Sequence, residues 1–253
     1  MKIISIRDFV ALGIFIMLGA CSQSESPVAT TDPGEAEASS PATAAPPASA
    51  TASLELQALE WRNIGPFNGG RGTTVVGHPT DKMVFYFGHS SGGLWKTEDA
   101  GTTWEQIGAG QFNYASVGAM GISESDPDVM YVGLGEPQLR QSVSWGDGMY
   151  KSVDGGETWQ HIGLNDAKHI ARVRIHPYNP DIVYVSSMGH AFGPNDEKGV
   201  FRTQDGGETW ERVLFKNEGT GAIDLIMSPD DPNLLFAALW EFERKAWGAK
   251  TGG

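Results

Sequence analysis

Lys151-Ser152-Val153-Asp154-Gly155-Gly156-Glu157-Thr158-Trp159 decides how this chain folds, because the stretch occurs three times. The other copies are Lys96-Thr97-Glu98-Asp99-Ala100-Gly101-Thr102-Thr103-Trp104 and Arg202-Thr203-Gln204-Asp205-Gly206-Gly207-Glu208-Thr209-Trp210. Their tryptophans lie 55 and 51 residues apart, the period of a repeated supersecondary unit. An Asp shortly followed by Gly marks a tight turn: the carboxylate accepts hydrogen bonds from nearby backbone N–H groups, and Gly supplies positive φ. Before the turns run Gly93-Leu94-Trp95-Lys96-Thr97, Gly148-Met149-Tyr150-Lys151-Ser152 and Gly199-Val200-Phe201-Arg202-Thr203. That alternation suits a strand packed on both faces. After each turn a tryptophan leads into another strand. The unit is a β-hairpin in which Asp99, Asp154 and Asp205 are structural turn residues and Trp104, Trp159 and Trp210 anchor it to the core.

Two more strands accompany each hairpin. The second strands align as Val84-Phe85-Tyr86-Phe87, Val129-Met130-Tyr131-Val132, Ile182-Val183-Tyr184-Val185 and Leu234-Leu235-Phe236-Ala237. Pro/Asp turns precede them, as in Ser125-Asp126-Pro127-Asp128. First strands are expected near 72–77, 117–122, 171–175 and 222–227. The pattern gives three complete four-stranded units and the start of a fourth, with 240–253 expected as the variable loop of that fourth unit. Trp61-Arg62-Asn63-Ile64-Gly65 matches Trp104-Glu105-Gln106-Ile107-Gly108 without a preceding turn motif. It reads as an outermost strand donated by the N-terminal side to close a ring.

The repeat resembles the Asp-box, or BNR repeat, of sialidases, sortilin-type receptors, xyloglucan endoglucanases and a photosystem assembly factor, all β-propellers. The resemblance implies an all-β propeller of four-stranded blades, three complete plus part of a fourth. A complete ring would have about seven blades or more. The chain then reads as an N-terminal fragment whose partner is its own missing C-terminal blades. Ile64-Gly65-Pro66-Phe67, Gly69-Gly70-Arg71, Ser144-Trp145-Gly146-Asp147-Gly148 and Gly189-His190, with Gly193-Pro194-Asn195, resemble large bacterial exported proteins described as sortilin-like or as glycosyl hydrolases with BNR repeats. That resemblance covers residue 57 to the end. In these families the Asp-box lies on the face away from the active site. The xyloglucan endoglucanases carry a catalytic Asp two positions before the Gly-Gly that opens the first blade's third strand. Here that pair is Gly92-Gly93 and the position is Ser90, which cannot replace a carboxylate base. The Arg-Ile-Pro motif of sialidases is not matched by Trp61-Arg62-Asn63-Ile64-Gly65-Pro66.

The chain of 253 residues carries a formal charge of −13 with no basic cluster, which argues against a nucleic-acid partner. Its 33 glycines and 8 tryptophans suit turn-dense β structure. With Cys21 the one cysteine, no intramolecular disulfide is possible. Lys2 and Arg7, an apolar run over 9–17 and Leu18-Gly19-Ala20-Cys21 resemble a bacterial lipoprotein leader. The run is too short to span a membrane. The expected organisation is a signal peptide over 1–20, a disordered Ser/Pro/Ala-rich tether over 21–56 and a partial propeller over 57–253. Lipidation of Cys21 would join the protein to a membrane in the cell envelope, and Ser22 leans towards the outer membrane.

Ligands of propellers meet the loops between second and third strands, here 88–92, 135–148 and 189–199, and the connections between blades. Glu136 and Asp147 are candidates for the paired carboxylates of a glycosidase. The competing reading is a local Glu136–Arg140 ion pair that orders the loop, with Trp145 packed beneath it. Arg140 suits a carboxylate bidentately, and Trp145 and Phe192 suit stacking on sugar rings. Arg71 faces either the central channel or the N-terminal closure. His89, His190 and Asn195 complete the candidate ligand contacts. The spacing of His89, His169 and His190 matches no metal motif, and no cofactor is expected. The expected function is a surface-anchored lipoprotein binding a protein, peptide or glycan. The alternative is a glycoside hydrolase acting on an extracellular or envelope polysaccharide, and a third reading is a scaffold for envelope assembly.

Overall fold

A computed structural model describes residues 3–6 and 71–252. It is all β: the described residues form four antiparallel sheets and no helix. The first sheet is β2 (Gly72–Gly77), β3 (Phe85–His89), β4 (Leu94–Thr97) and β5 (Glu105–Ile107), in that spatial order. The second is β6 (Val117–Ile122), β7 (Met130–Leu134), β8 (Met149–Ser152) and β9 (Gln160–His161). The third is β10 (Ile170–His176), β11 (Asn179–Ser187), β12 (Gly199–Thr203) and β13 (Glu211–Leu214). The fourth holds β14 (Thr220–Met227), β15 (Leu235–Lys245) and β16 (Gly248–Gly252), with β1 (Ile3–Ile6) pairing antiparallel to Leu235–Ala238. First strands pack side by side, β2 on β6, β6 on β10 and β10 on β14, so the sheets radiate as the blades of a propeller. The expected tether, Cys21 and the closing strand at 61–65 lie outside the described residues.

Strands packed on both faces need apolar residues at successive positions, and β7 is buried throughout. One core lies between the first and second blades, around Tyr86, Leu94, Val132 and Trp159. A second lies between the second and third, around Tyr131, Met149, Val185 and Phe201. Where no described blade packs, apolar side chains are open, as at Val75 on one flank and Ile226 and Phe236 on the other. All four inner strand pairs slip register near their start, between 72 and 74, 117 and 119, 170 and 172, and 222 and 224. Bulges there bend the inner strands where they emerge at the loop face.

The repeat motif forms the same turn each time. In the second blade Thr158 donates its N–H to Asp154 Oδ1 at 2.9 Å and its hydroxyl to Oδ2 at 2.5 Å. Ser152 donates to Oδ1 at 2.7 Å and accepts the Gly156 N–H at 2.9 Å. Thr103 with Asp99, and Thr209 with Asp205, repeat these bonds. The tryptophan comes just before the outermost strand rather than inside it, and in the second and third blades it reaches the preceding blade. Trp159 packs on Phe112, and Trp210 Nε1 donates to Ile162 O at 2.7 Å. A Cβ on Gly207 would lie 2.5 Å from Ile162 Cδ1, so the glycine's bareness seats one blade against the last.

These donors hold the turn carboxyls down. The backbone N–H of Thr103, with its hydroxyl and that of Thr97, keeps Asp99 at about 2. The hydroxyl and N–H of Thr158, with Ser152, keep Asp154 at about 2. Asp205 is lowered by the hydroxyls of Thr203 and Thr209. An unfolded Asp titrates near ~3.9. A folded pKa below the unfolded one gives stability that is fully present above pH about 4 and lost as pH falls towards 2. Asp154→Asn should therefore flatten the fall of melting temperature across that window, as thermal unfolding at stepped pH would show.

The sequence reading of 240–253 as a variable loop is corrected. β15 continues through Lys245 and β16 returns along it, with Glu241 opposite Gly252 and Lys245 opposite Gly248. Trp240 and Phe242 pack together beneath the loop face while charged residues alternate with them. Glu241 pairs with Lys250 across the hairpin at 2.6 Å. That period-two alternation is a strand pattern.

Candidate ligand-binding face

Loop 135–148 is shaped by its first residue. Gly135 has φ +89, and a Cβ there would stand 1.7 Å from Lys168 O. The chain therefore leaves β7 tight against the connection 163–170, a path open only to glycine. Glu136 N–H donates to Ser144 O at 2.9 Å, and Ser144 N–H to Glu136 Oε2 at 3.4 Å, which closes the loop on itself. Gly146 N–H donates to Lys168 O at 3.0 Å. Leu139 and Val143 fill the space below, with Ala171, Met188, Ala191 and Phe242. The competing sequence reading placed Trp145 beneath this loop. Leu139 and Val143 already occupy that space, and Trp145 stands 48% exposed.

Glu136 is fully buried. Its Oε1 accepts from Arg140 Nε at 3.0 Å and also from Arg71. Arg71 further donates to Ser90 Oγ at 3.3 Å, and its carbonyl accepts the Ser90 N–H at 2.9 Å. The ion pair anticipated between Glu136 and Arg140 is thus a triad spanning two blades, with Ser90 as a fourth member. Asp147 belongs to another network. It accepts from Asn113 Nδ2 at 2.7 Å and from the Tyr150 hydroxyl at 3.1 Å, and its carbonyl meets His161 Nε2 at 2.7 Å. Burial, with Asp147 alongside, pushes the Tyr150 hydroxyl up to about 12, so it stays a donor.

A third network joins connection 163–170 to loop 189–199. Asp166 meets His190 Nε2 at 2.9 Å and accepts from Asn195 Nδ2 at 2.6 Å, while its N–H donates to Glu197 at 2.8 Å. Lys198, fully buried, donates to His190 O at 2.8 Å, and burial brings its ammonium down to about 8. Asn195, 8% exposed, braces the loop from within. Above it Phe192 is 49% exposed. Trp145, Lys168, His190, Ala191, Phe192 and Gly193 line an open cleft of about 100 Å³ between the second and third blades.

The other two candidate histidines, His89 and His169, face inward. His89 lies 4.4 Å from the ring of Phe87 with 5% exposure, so it supports the face from below. His169 is fully buried beside the Glu136 backbone, without a hydrogen bond of good geometry, and burial pushes its imidazole down to about 3. It is therefore neutral and donates no charge to the triad. Among the described residues no three His, Cys, Asp or Glu side chains gather as metal ligands. Sequence reasoning passed over Asp166 and Lys168. Their signal was the polar run Asn165-Asp166-Ala167-Lys168, but its role shows only once that connection lies against the next blade's loop.

The chain is an Asp-box β-propeller with sortilin-like and glycosyl-hydrolase-like relatives. The sequence model of the Sortilin-Vps10 family, described as sortilin, neurotensin receptor 3, matches residues 147–251. A xyloglucanase from a Paenibacillus species is 26% identical over 67% of this chain and 17% of its own length. A xyloglucanase from Hypocrea jecorina is 28% identical over 70% of this chain and 21% of its own. The chain thus spans about a fifth of these relatives. The crystal structure of an ancestral GH74 enzyme superposes with a TM-score of 0.57 at 21% identity, over 72% of this chain and 24% of that one, and shares the fold.

Proposed function

We propose that the loop face binds a polysaccharide chain, and that the protein acts on an extracellular or envelope glycan as a propeller of the glycoside hydrolase kind. The observation that carries this is the cleft flanked by exposed Trp145 and Phe192, with Lys168 and His190 at its rim. Aromatic faces offer apolar area to the C–H faces of sugar rings, and a few polar groups fix orientation. The xyloglucanases among the relatives support the same chemistry. Of the two candidate carboxylates, Asp147 is partly exposed and is the one we assign to proton transfer. Glu136 is committed to two guanidiniums and organises the loop. A lipid on Cys21, with the tether over 21–56, would present this face away from the bilayer. The support for that is the leader pattern of Lys2 and Arg7, the apolar run over 9–17 and Leu18-Gly19-Ala20-Cys21.

Binding without turnover is the second reading. It is favoured by Ser90, which stands at the position of a catalytic Asp in the xyloglucan endoglucanases and is held by Arg71. Affinity electrophoresis of the full-length protein through a panel of polysaccharides tests the first claim. Retardation is expected, weakened about tenfold by Trp145→Ala, the size typical of losing a buried aromatic contact. The absence of retardation in every gel would contradict it. Release of reducing ends, abolished by Asp147→Asn with retardation kept, separates hydrolysis from binding.

A further inference from the structure

We infer that Arg71 and Arg140, set side by side over buried Glu136, form a subsite for a carboxylate, and that the glycan held here is an acidic one bearing uronate groups. This rests on the polysaccharide reading above and narrows it. Two guanidiniums share one carboxylate oxygen, which leaves the triad with one net positive charge in a chain of formal charge −13. Arg71 uses one terminal nitrogen on Glu136 and Ser90, and Arg140 uses Nε on Glu136. Their other N–H groups have no acceptor among the described residues. The side chains are 44% and 46% exposed while the carboxylate between them is sealed. The buried anion thus holds two cations in place and leaves their free edges at the surface. A planar carboxylate matches a guanidinium edge with two parallel hydrogen bonds, and a preorganised fork loses little freedom on binding. The position joins this subsite to the cleft. Ser144, bonded to Glu136 through both its N–H and its carbonyl, is followed directly by Trp145. A sugar stacked on Trp145 would have its neighbours in the chain within the same loop's reach.

The test uses the full-length protein and three acidic polysaccharides, polygalacturonate, glucuronoxylan and alginate, each beside its carboxyl-reduced form, with neutral xyloglucan and polyglutamate as controls. At least one acidic polymer should bind about tenfold more tightly than its reduced form, the scale of a charge-assisted bidentate contact. Arg140→Gln should remove that preference and leave the affinity for the reduced form unchanged. Arg140→Lys should restore only part of it, since a point charge lacks the fork. Arg71 still pairs with Glu136 in both variants, and melting temperatures confirm folding. Equal affinity for acidic and reduced forms, or a preference that survives Arg140→Gln, would overturn the subsite and leave the polysaccharide reading standing. So would binding of xyloglucan with no acidic polymer bound. No binding to any polysaccharide would overturn both. Polyglutamate bound as tightly as the best uronate polymer, and unaffected by Trp145→Ala, would identify an acidic polypeptide as the ligand and reject the proposal.

Discussion

Trp159→Ala is expected to lower the free energy of unfolding by about 3–5 kcal/mol, the range for deleting a large buried aromatic. The indole is 8% exposed and lies 5.3 Å from the ring of Phe112. Its Nε1 donates to Gly156 O at 3.0 Å, and its backbone N–H donates to Gln111 Oε1 at 2.8 Å. A Cβ on Gly108 would lie 3.2 Å from its Cδ1, so the ring rests on the end of the preceding blade. Removing it opens a cavity between two sheets that nothing nearby can fill. Trp104 has the same motif and a comparable bond, to Gly101 O at 3.1 Å, but is 38% exposed. Its replacement by Ala should cost less, about 2–3 kcal/mol, since roughly a third less area is returned to water. Urea midpoints of the two variants measure the difference. Equal losses would mean that these tryptophans secure their own hairpin rather than the joint between blades.

The second large effect is expected from Gly135→Ala. The residue has φ +89, where a Cβ costs roughly 1–2 kcal/mol. The added atom would also stand 1.7 Å from Lys168 O and 3.0 Å from Gly146 N, both backbone atoms that cannot swing aside. Displacing them adds about 1–3 kcal/mol. Loop 135–148 and connection 163–170 would part, taking Glu136, Trp145 and the cleft with them. The variant should melt lower and lose polysaccharide retardation together. Ala at Gly248, which lies outside the cleft and where no atom lies within 4 Å of a built Cβ, is the control expected to change neither.

The fold was legible because its signals are local. Asp99, Asp154 and Asp205 announce turns through a short-range constellation of Ser/Thr, Gly and Thr, and every expected bond within that constellation is present. The paired second strands showed as short apolar runs for the same reason. The second strand at 234–237 was read correctly, but its continuation through Lys245 and its return over 248–252 were missed, because a chain read outward from the repeat loses its guide beyond the third copy. The alternation of Trp240 and Phe242 with Glu241 and Glu243 carried the information. The face was less legible. Glu136 and Arg140 are four residues apart and could be paired on sequence grounds, but Arg71 is 65 residues from Glu136 and joins it only because two blades are neighbours. Of the two sequence readings of Trp145, a sugar-stacking aromatic or an anchor packed beneath the loop, the second fails because Leu139 and Val143 fill that place and the indole is left exposed.

Hydrogen–deuterium exchange of the full-length protein with and without a bound oligosaccharide tests the central claim most directly, because it reads the face rather than the affinity. Slowed exchange across 135–148 and 189–199, with the motif turns near Asp99, Asp154 and Asp205 unchanged, is the predicted result. Protection confined to those turns, at the opposite end of the strands, or no protection in either loop at saturating ligand, would contradict the assignment of this face to polysaccharide binding.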